Sequence, residues 1–212
     1  MSLLKTIMDY FLHVDKNLVV IVQQYGFWTY GLLFAVVFME TGLVVTPFLP
    51  GDSLLFAAGA IAAQGAFNIY FLFGLLLLAA FLGDTVNYWI GHYIGPKAFE
   101  SNSKLLKKEY LDKAQAFYDK HGGKAIVLAR FVPIVRTFAP FVAGIGKMHY
   151  GTFLTYNLLG GLLWVAAFTF GGFFFGGLPI VRDNFHYVVV GIVLVSVVPV
   201  VFELIKAKQE AK

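Results

Sequence analysis

Two apolar runs in this chain are each interrupted by a pair of charged residues and a pair of prolines, a pattern that neither a simple spanning helix nor a soluble core helix accommodates. The first, FMETGLVVTPFLPGDSLL, carries Glu40, Pro47, Pro50 and Asp52; the second, LARFVPIVRTFAPF, carries Arg130, Pro133, Arg136 and Pro140. Proline removes a backbone donor and disfavours helix at the residue before it, so these four prolines are expected to bend the chain into hairpins. A charge at bilayer depth costs at least ~2.5–3.5 kcal/mol on insertion scales, and such residues face a bundle interior or a wet cavity on the route of an ion or substrate. The pattern points to a transport site inside a membrane.

Composition supports that setting. Of 212 residues, 59% are hydrophobic and 13% charged, and the mean hydropathy is +0.76, which lies outside the soluble globular class. An integral membrane protein with one membrane domain over residues 1–212 is expected. The start of the chain lacks the charged, apolar and small-residue order of a secretory leader, so no cleavage is expected. With no cysteine and five scattered histidines, neither a disulfide framework nor a metal site is expected, and no cofactor. The net charge of +4 comes largely from lysines at the membrane edges. That suits anionic headgroups, and no nucleic-acid module is visible.

Along the chain, residues 1–17 read as an interfacial helix and residues 18–39 as a first crossing. Residues 40–66 read as a re-entrant hairpin, and 69–95 as a second crossing with Asp84, Asn87 and His92 toward its end. Seven lysines and a three- and four-residue apolar spacing over 97–124 predict an amphipathic helix, cytoplasmic by the positive-inside rule. A second re-entrant hairpin over 125–146 follows, then a span beginning near Tyr150 and a last one in VVVGIVLVSVVPVVF. Both termini then fall in the cytoplasm. The expected fold is all-α and integral to the membrane: an inverted repeat of two opposed re-entrant helical hairpins, about four transmembrane spans and an amphipathic cytoplasmic helix. Internal echoes agree, with Glu40 ten residues before Pro50 and Arg130 ten before Pro140, and Gly91 and Gly95 matched by Gly172 and Gly176. Gly/Pro-interrupted segments in corresponding positions of two halves point to a transporter site near the midplane.

A guanidinium presents a planar, permanently charged fork that binds phosphate oxygens bidentately, so Arg130 and Arg136 are the candidate phosphate ligands. Six residues apart, they lie about 120° from alignment on an ideal helix, and convergence needs the break that Pro133 supplies. Glu40 and Asp52 are the candidate proton-coupling groups, since burial and a nearby arginine act oppositely on a carboxyl. The alternative for these residues is a fixed ion-pair set holding the hairpins in register. Asp84, Asn87 and His92 form a secondary polar set: Asp84 bonds Asn87 or nearby backbone, and His92 is an interfacial side chain or a proton relay. No nucleophile stands beside an evident base, so no catalytic residue is assigned and enzymatic activity is not expected.

On ETGLVVTPFLPGDSLLFAAGA, GDTVNYWIG and KHGGKAIVLARFVPIVRTFAPFVAGIGKM, and over nearly its whole length, the chain resembles the DedA family of membrane proteins. The resemblance implies a bacterial inner-membrane location, two opposed re-entrant helices and membrane homeostasis dependent on the proton motive force. For several members it implies translocation of the polyprenyl-phosphate carrier used in envelope synthesis. The family's essential acids match Glu40 and Asp52, and its essential arginines match Arg130 and Arg136. The expected function is proton-motive-force-dependent movement of a lipid, undecaprenyl phosphate, with membrane lipids and protons as partners; homo-oligomerisation is left open. The main alternative is a proton-coupled exporter of cations or drugs, in which the acids are the ligands. A lipid phosphatase and an assembly factor without transport are the others.

Overall fold

The computed structural model describes residues 22, 24–43, 51–94, 118, 122–179, 181, 184, 187, 188 and 191. Among them the regular structure is helical: α1 (Trp28–Gly42), α2 (Gly51–Ala63), α3 (Ile69–Ile94), α4 (Lys124–Ala129), α5 (Pro133–Ile145) and α6 (Tyr150–Phe175). The expected helix over 1–17, the bends at Pro47 and Pro50, nearly all of the 97–124 segment and almost all of the last span lie outside the described residues.

Helices α3 and α6 have 26 residues each, about 39 Å at 1.5 Å per residue, enough to cross a hydrocarbon core of ~30 Å. Only 39% and 33% of their most apolar stretches are buried, so neither is the core helix of a soluble domain. Leu78, Leu82 and Val86 of α3 and Leu158, Leu159, Leu162 and Leu163 of α6 face outward, while Asp84, Asn87 and Asn157 are buried. Apolar side chains outside and polar ones inside are what lipid surroundings select. These two helices, long and apolar enough to span a membrane, coincide with the segments 69–95 and from Tyr150.

Contacts fix the chain directions. α3 and α6 are antiparallel, because Asn157 meets Phe81 while Gly161 meets Leu77. α1 runs parallel to α3: the Asn68 amide donates to the Tyr30 hydroxyl at one end, and Gly42 lies on Gly83 at the other. α2 follows α6, with Asp52 at Trp164 and Gly59 at Thr169. α4 also follows α6, through Gly123 at Tyr156 and Val127 at Gly160, and α5 follows α3, through Phe141 at Gly91. So α1 with α2, and α4 with α5, form two antiparallel helical hairpins, each followed by a long helix. The second limb of each hairpin packs on the long helix of the other unit, and the two tips meet between α3 and α6.

The same close crossing occurs twice. The Phe56 carbonyl lies against Gly172 and the Thr169 carbonyl against Gly59; likewise the Phe141 carbonyl lies against Gly91 and the Tyr88 carbonyl against Gly144. A β-carbon at any of the four would overlap a carbonyl oxygen. The sequences FAAG in α2 and FVAG in α5 are one packing device used twice, small residues admitting the partner backbone. The Gly91 and Gly172 echo is therefore structural.

Two expectations need correction. Pro140 does not end a helix at a hairpin turn: it lies inside α5, which continues to Ile145. The break falls at residues 130–132, where Val132 is extended (φ −120°, ψ 105°) ahead of Pro133, the residue that opens α5. Pre-proline sterics favour that extended geometry, and the missing donor of a first-turn proline breaks no helical bond. The first hairpin is also longer than 40–66. Gly26, at φ +51°, divides the crossing expected over 18–39, and α1 begins at Trp28 and runs through Glu40 to Gly42. Glu40 thus sits at the hairpin's tip and not at its entrance. In the second unit α4 and α5 together run from Lys124 to Ile145.

Candidate functional site

The hairpin tips deliver four charged residues to one place. Glu40 lies two residues before the end of α1, Asp52 is the second residue of α2, Arg130 directly follows α4, and Arg136 is the fourth residue of α5. Between the tips stand Asp84 of α3 and Asn157 and Trp164 of α6. At 1.5 Å per residue Asp84 is about 22 Å along α3 and Trp164 about 21 Å along α6, roughly halfway in each case. Relative exposure is 0% for Glu40, 2% for Asp84, 4% for Arg130, and 8% for Arg136 and Asp52, so the charges are closed off from bulk water.

Arg136 is a fork between two carboxylates. Its Nη1 donates to Asp52 Oδ1 at 2.5 Å, and its Nη2 donates to Glu40 Oε1. Glu40 Oε1 also accepts from the Gly51 amide at 3.2 Å, the first amide of α2. Both carboxylates therefore lie at the positive end of α2, where the helix dipole favours them. Gly51 is required here, since a β-carbon would occupy the space of the Glu40 carboxylate. Arg130 has a separate set of partners: its Nη2 donates to Asp84 Oδ2 and to Asn157 Oδ1 at 2.5 Å. Asn157 is oriented by donating to the Phe81 carbonyl at 3.2 Å. Gly160 and Gly161 leave room for the Arg130 side chain along α6.

Trp164 joins the two halves. Its indole N–H donates to Asp52 Oδ1 at 2.7 Å, and the guanidinium carbons of Arg130 and Arg136 lie 5.8 Å and 5.0 Å from its ring, within cation–π range. Trp164→Phe keeps a ring beside both arginines and deletes the donor to Asp52. It is expected to cost about 1–3 kcal/mol, and Trp164→Leu more; thermal unfolding in detergent checks this, and equal effects of the two would contradict the account.

The sequence-selected charges meet, in a pairing that the sequence leaves open: the acid on Arg130 is Asp84, while Glu40 and Asp52 share Arg136. Asp84 accordingly bonds Arg130, not Asn87. The Asn87 amide donates to the carbonyls of Thr41 at 3.0 Å and Thr137 at 2.7 Å, the residues after Glu40 and Arg136, and so ties both tips to α3. His92 is apart from the charges, about 12 Å farther along α3 than Asp84, among the rings of Tyr88, Trp89 and Tyr93. Asn157 and Trp164 escaped the sequence reading. Their signal was periodicity: Asn157, Gly160, Gly161 and Trp164 recur on one helix face within a leucine-rich span.

Three carboxyls face two guanidiniums, so with every group ionised one negative charge is uncompensated. Burying such a charge costs several kcal/mol, and one proton is the smallest addition that removes it. Among the described residues Glu40 Oε2, Arg130 Nε and Arg136 Nε are buried without a hydrogen-bond partner. Buried polar atoms are rarely left so, and the closed site retains unused donors on both arginines.

The VTT domain family matches residues 49–174, a stretch holding Asp52, Asp84, Arg130, Arg136 and Trp164. Protein DedA of Escherichia coli (strain K12) is 54% identical over 214 residues, covering 100% of this chain and 98% of that protein. The uncharacterized membrane protein ML0287 of Mycobacterium leprae is 42% identical over 82% of the chain and 80% of its own length. The inner membrane protein YqjA of Escherichia coli (strain K12) is 35% identical over 82% and 80%. No solved structure matches the chain. On this similarity, and with two exposed apolar helices enclosing buried charges, the chain belongs to the VTT-domain, or DedA, family of membrane proteins.

Proposed function

We propose that this protein is a proton-motive-force-dependent transporter that moves a polyprenyl-phosphate lipid, undecaprenyl phosphate, across the bacterial inner membrane, with no catalytic step and with both termini in the cytoplasm. The observation that carries the reading is the division of Arg136 between Glu40 and Asp52 in a closed site midway along the long helices. A carboxylate on a guanidinium occupies the donors a phosphate would use. Protonation removes the carboxylate's charge and weakens its hold, while the guanidinium stays charged at any physiological pH. Protons entering Glu40 and Asp52 thereby free Arg136 for the headgroup, and loss of those protons on the other side expels it. Antiparallel hairpins that meet tip to tip support re-entrant elements opening alternately to the two faces, with the prenyl tail left in lipid.

Liposomes containing the purified protein and a labelled prenyl phosphate test this. Movement should depend on a proton gradient and fall about tenfold or more in Arg130→Gln and Arg136→Gln, since a hydrogen bond to a charged group is worth ~1.5–3 kcal/mol. Parental rates in the arginine variants, or no movement by the parent protein under a gradient, would overturn it. The uncompensated negative charge favours a second reading, proton-coupled export of a cation or cationic drug. There the acids are the ligands, and Arg130→Gln should spare exchange that Asp52→Asn abolishes.

A further inference from the structure

Arg130 is held differently from Arg136, and the difference has a functional consequence. Arg136 answers two carboxylates, so the site's excess negative charge lies on the Glu40, Asp52 and Arg136 side. Arg130 and Asp84 form a balanced pair of one charge each, with neutral Asn157 completing the bonds to Nη2. A proton arriving at Glu40 or Asp52 relieves the excess charge and loosens Arg136, yet leaves the grip of Asp84 on Arg130 intact. We propose that Asp84 is a proton-coupling carboxyl in its own right, which withholds Arg130 from the phosphate until it is protonated, so that the two arginines are released by separate proton steps. This rests on the reading of the site as a phosphate-lipid binder.

The surroundings of Asp84 fit a competitor for a ligand site better than a permanent strut. Arg130 bonds it from the end of α4, while Arg136 on α5 and the Tyr118 phenol are close enough to interact with its charge without bonding it. Glu40 of α1 and Asp52 of α2 lie beyond Arg136, and α6 adds only the neutral Asn157 and Trp164. The Arg130 Nε has no partner, so the side chain that holds it in place leaves part of its donor fork unused. A strut built for stability would fill that fork, as two-point carboxylate pairing does.

Competition and positioning predict opposite signs. With the protein in phosphatidylcholine nanodiscs and farnesyl phosphate as probe, Asp84→Asn should bind more tightly than the parent at alkaline pH, because the competitor has gone. The two should converge at acid pH, where Asp84 in the parent is already protonated, and the ratio should change by up to about tenfold per pH unit between. If Asp84 merely positions Arg130, the variant binds more weakly at every pH, and the proposal is overturned. A second measurement leaves Asp84 untouched: in Glu40→Gln/Asp52→Asn, infrared difference spectra should still show a protonated-carboxyl band appearing on farnesyl phosphate binding, and its absence overturns the proposal too. A parent protein that binds no farnesyl phosphate, or binds it without need of either arginine, refutes the phosphate-lipid reading itself. Normal arginine dependence with an unmoved pH profile in Asp84→Asn refutes only the role of Asp84.

Discussion

Arg136→Gln is expected to lower the stability of the detergent-solubilised protein by about 3–5 kcal/mol, the cost of stranding a buried ion-pair partner, and to abolish transport in the same stroke. The effect is large because one side chain answers two acids: its removal leaves the buried Glu40 and Asp52 carboxylates facing each other across the tip of α2. Arg136→Lys should fall between, since an ammonium is a point charge and cannot present two parallel donors to two carboxylates in one plane. Adding Glu40→Gln to Arg136→Gln should restore much of the stability by removing one stranded charge, with no return of transport. That non-additivity marks residues acting in one network. Thermal unfolding of the single and double variants, set beside liposome transport, reads both quantities. An Arg136→Gln protein as stable as the parent would mean that the acids are neutral at rest and that the ion pairs carry little of the fold.

The charged residues of the site were legible in the sequence because a bilayer makes each intramembrane charge conspicuous. Glu40, Asp52, Arg130 and Arg136 stood out against apolar neighbours, and the folded chain gathers all four. Which acid meets which arginine was not legible, because the pairing depends on how the hairpins cross. α2 lies on α6 and α5 on α3, and this exchange puts Arg136 at the start of α2 and leaves Arg130 to Asp84. Pro133 opens a helix, whereas Pro140 is carried inside one, and only the position relative to a helix start separates the two. Gly26 divided an apolar run that hydropathy alone joins, because a left-handed glycine leaves no mark on a hydropathy profile. Trp164 carries no charge to mark it in an apolar span, and tryptophan is ordinarily an interfacial anchor; only the folded chain shows it buried beside Asp52.

Gly144→Ala and Gly172→Ala are expected to destabilise by about 3 kcal/mol each, at the upper end of overpacking costs, because the added methyl group meets a backbone carbonyl that cannot turn aside. Gly74→Ala is the control: its β-carbon meets open space, and the change should be neutral or stabilising by up to about 1 kcal/mol. The two crossings are the same device in different interfaces, which makes their combinations informative. Gly59→Ala and Gly172→Ala act on one interface, where a single separation of α2 from α6 relieves both overlaps, so the double variant should cost little more than either change alone. Gly59→Ala and Gly144→Ala act on opposite hairpins and should add, as independent sites do. Each change also displaces a helix that carries a site residue, Asp52 on α2 or Arg136 on α5, so either should impair transport through the geometry of the ion pair. Chemical or thermal unfolding of the singles and the two doubles measures the contrast. Non-additivity between Gly59→Ala and Gly144→Ala would mean that the hairpins move as one body, and alternate opening of the two tips would have to be given up.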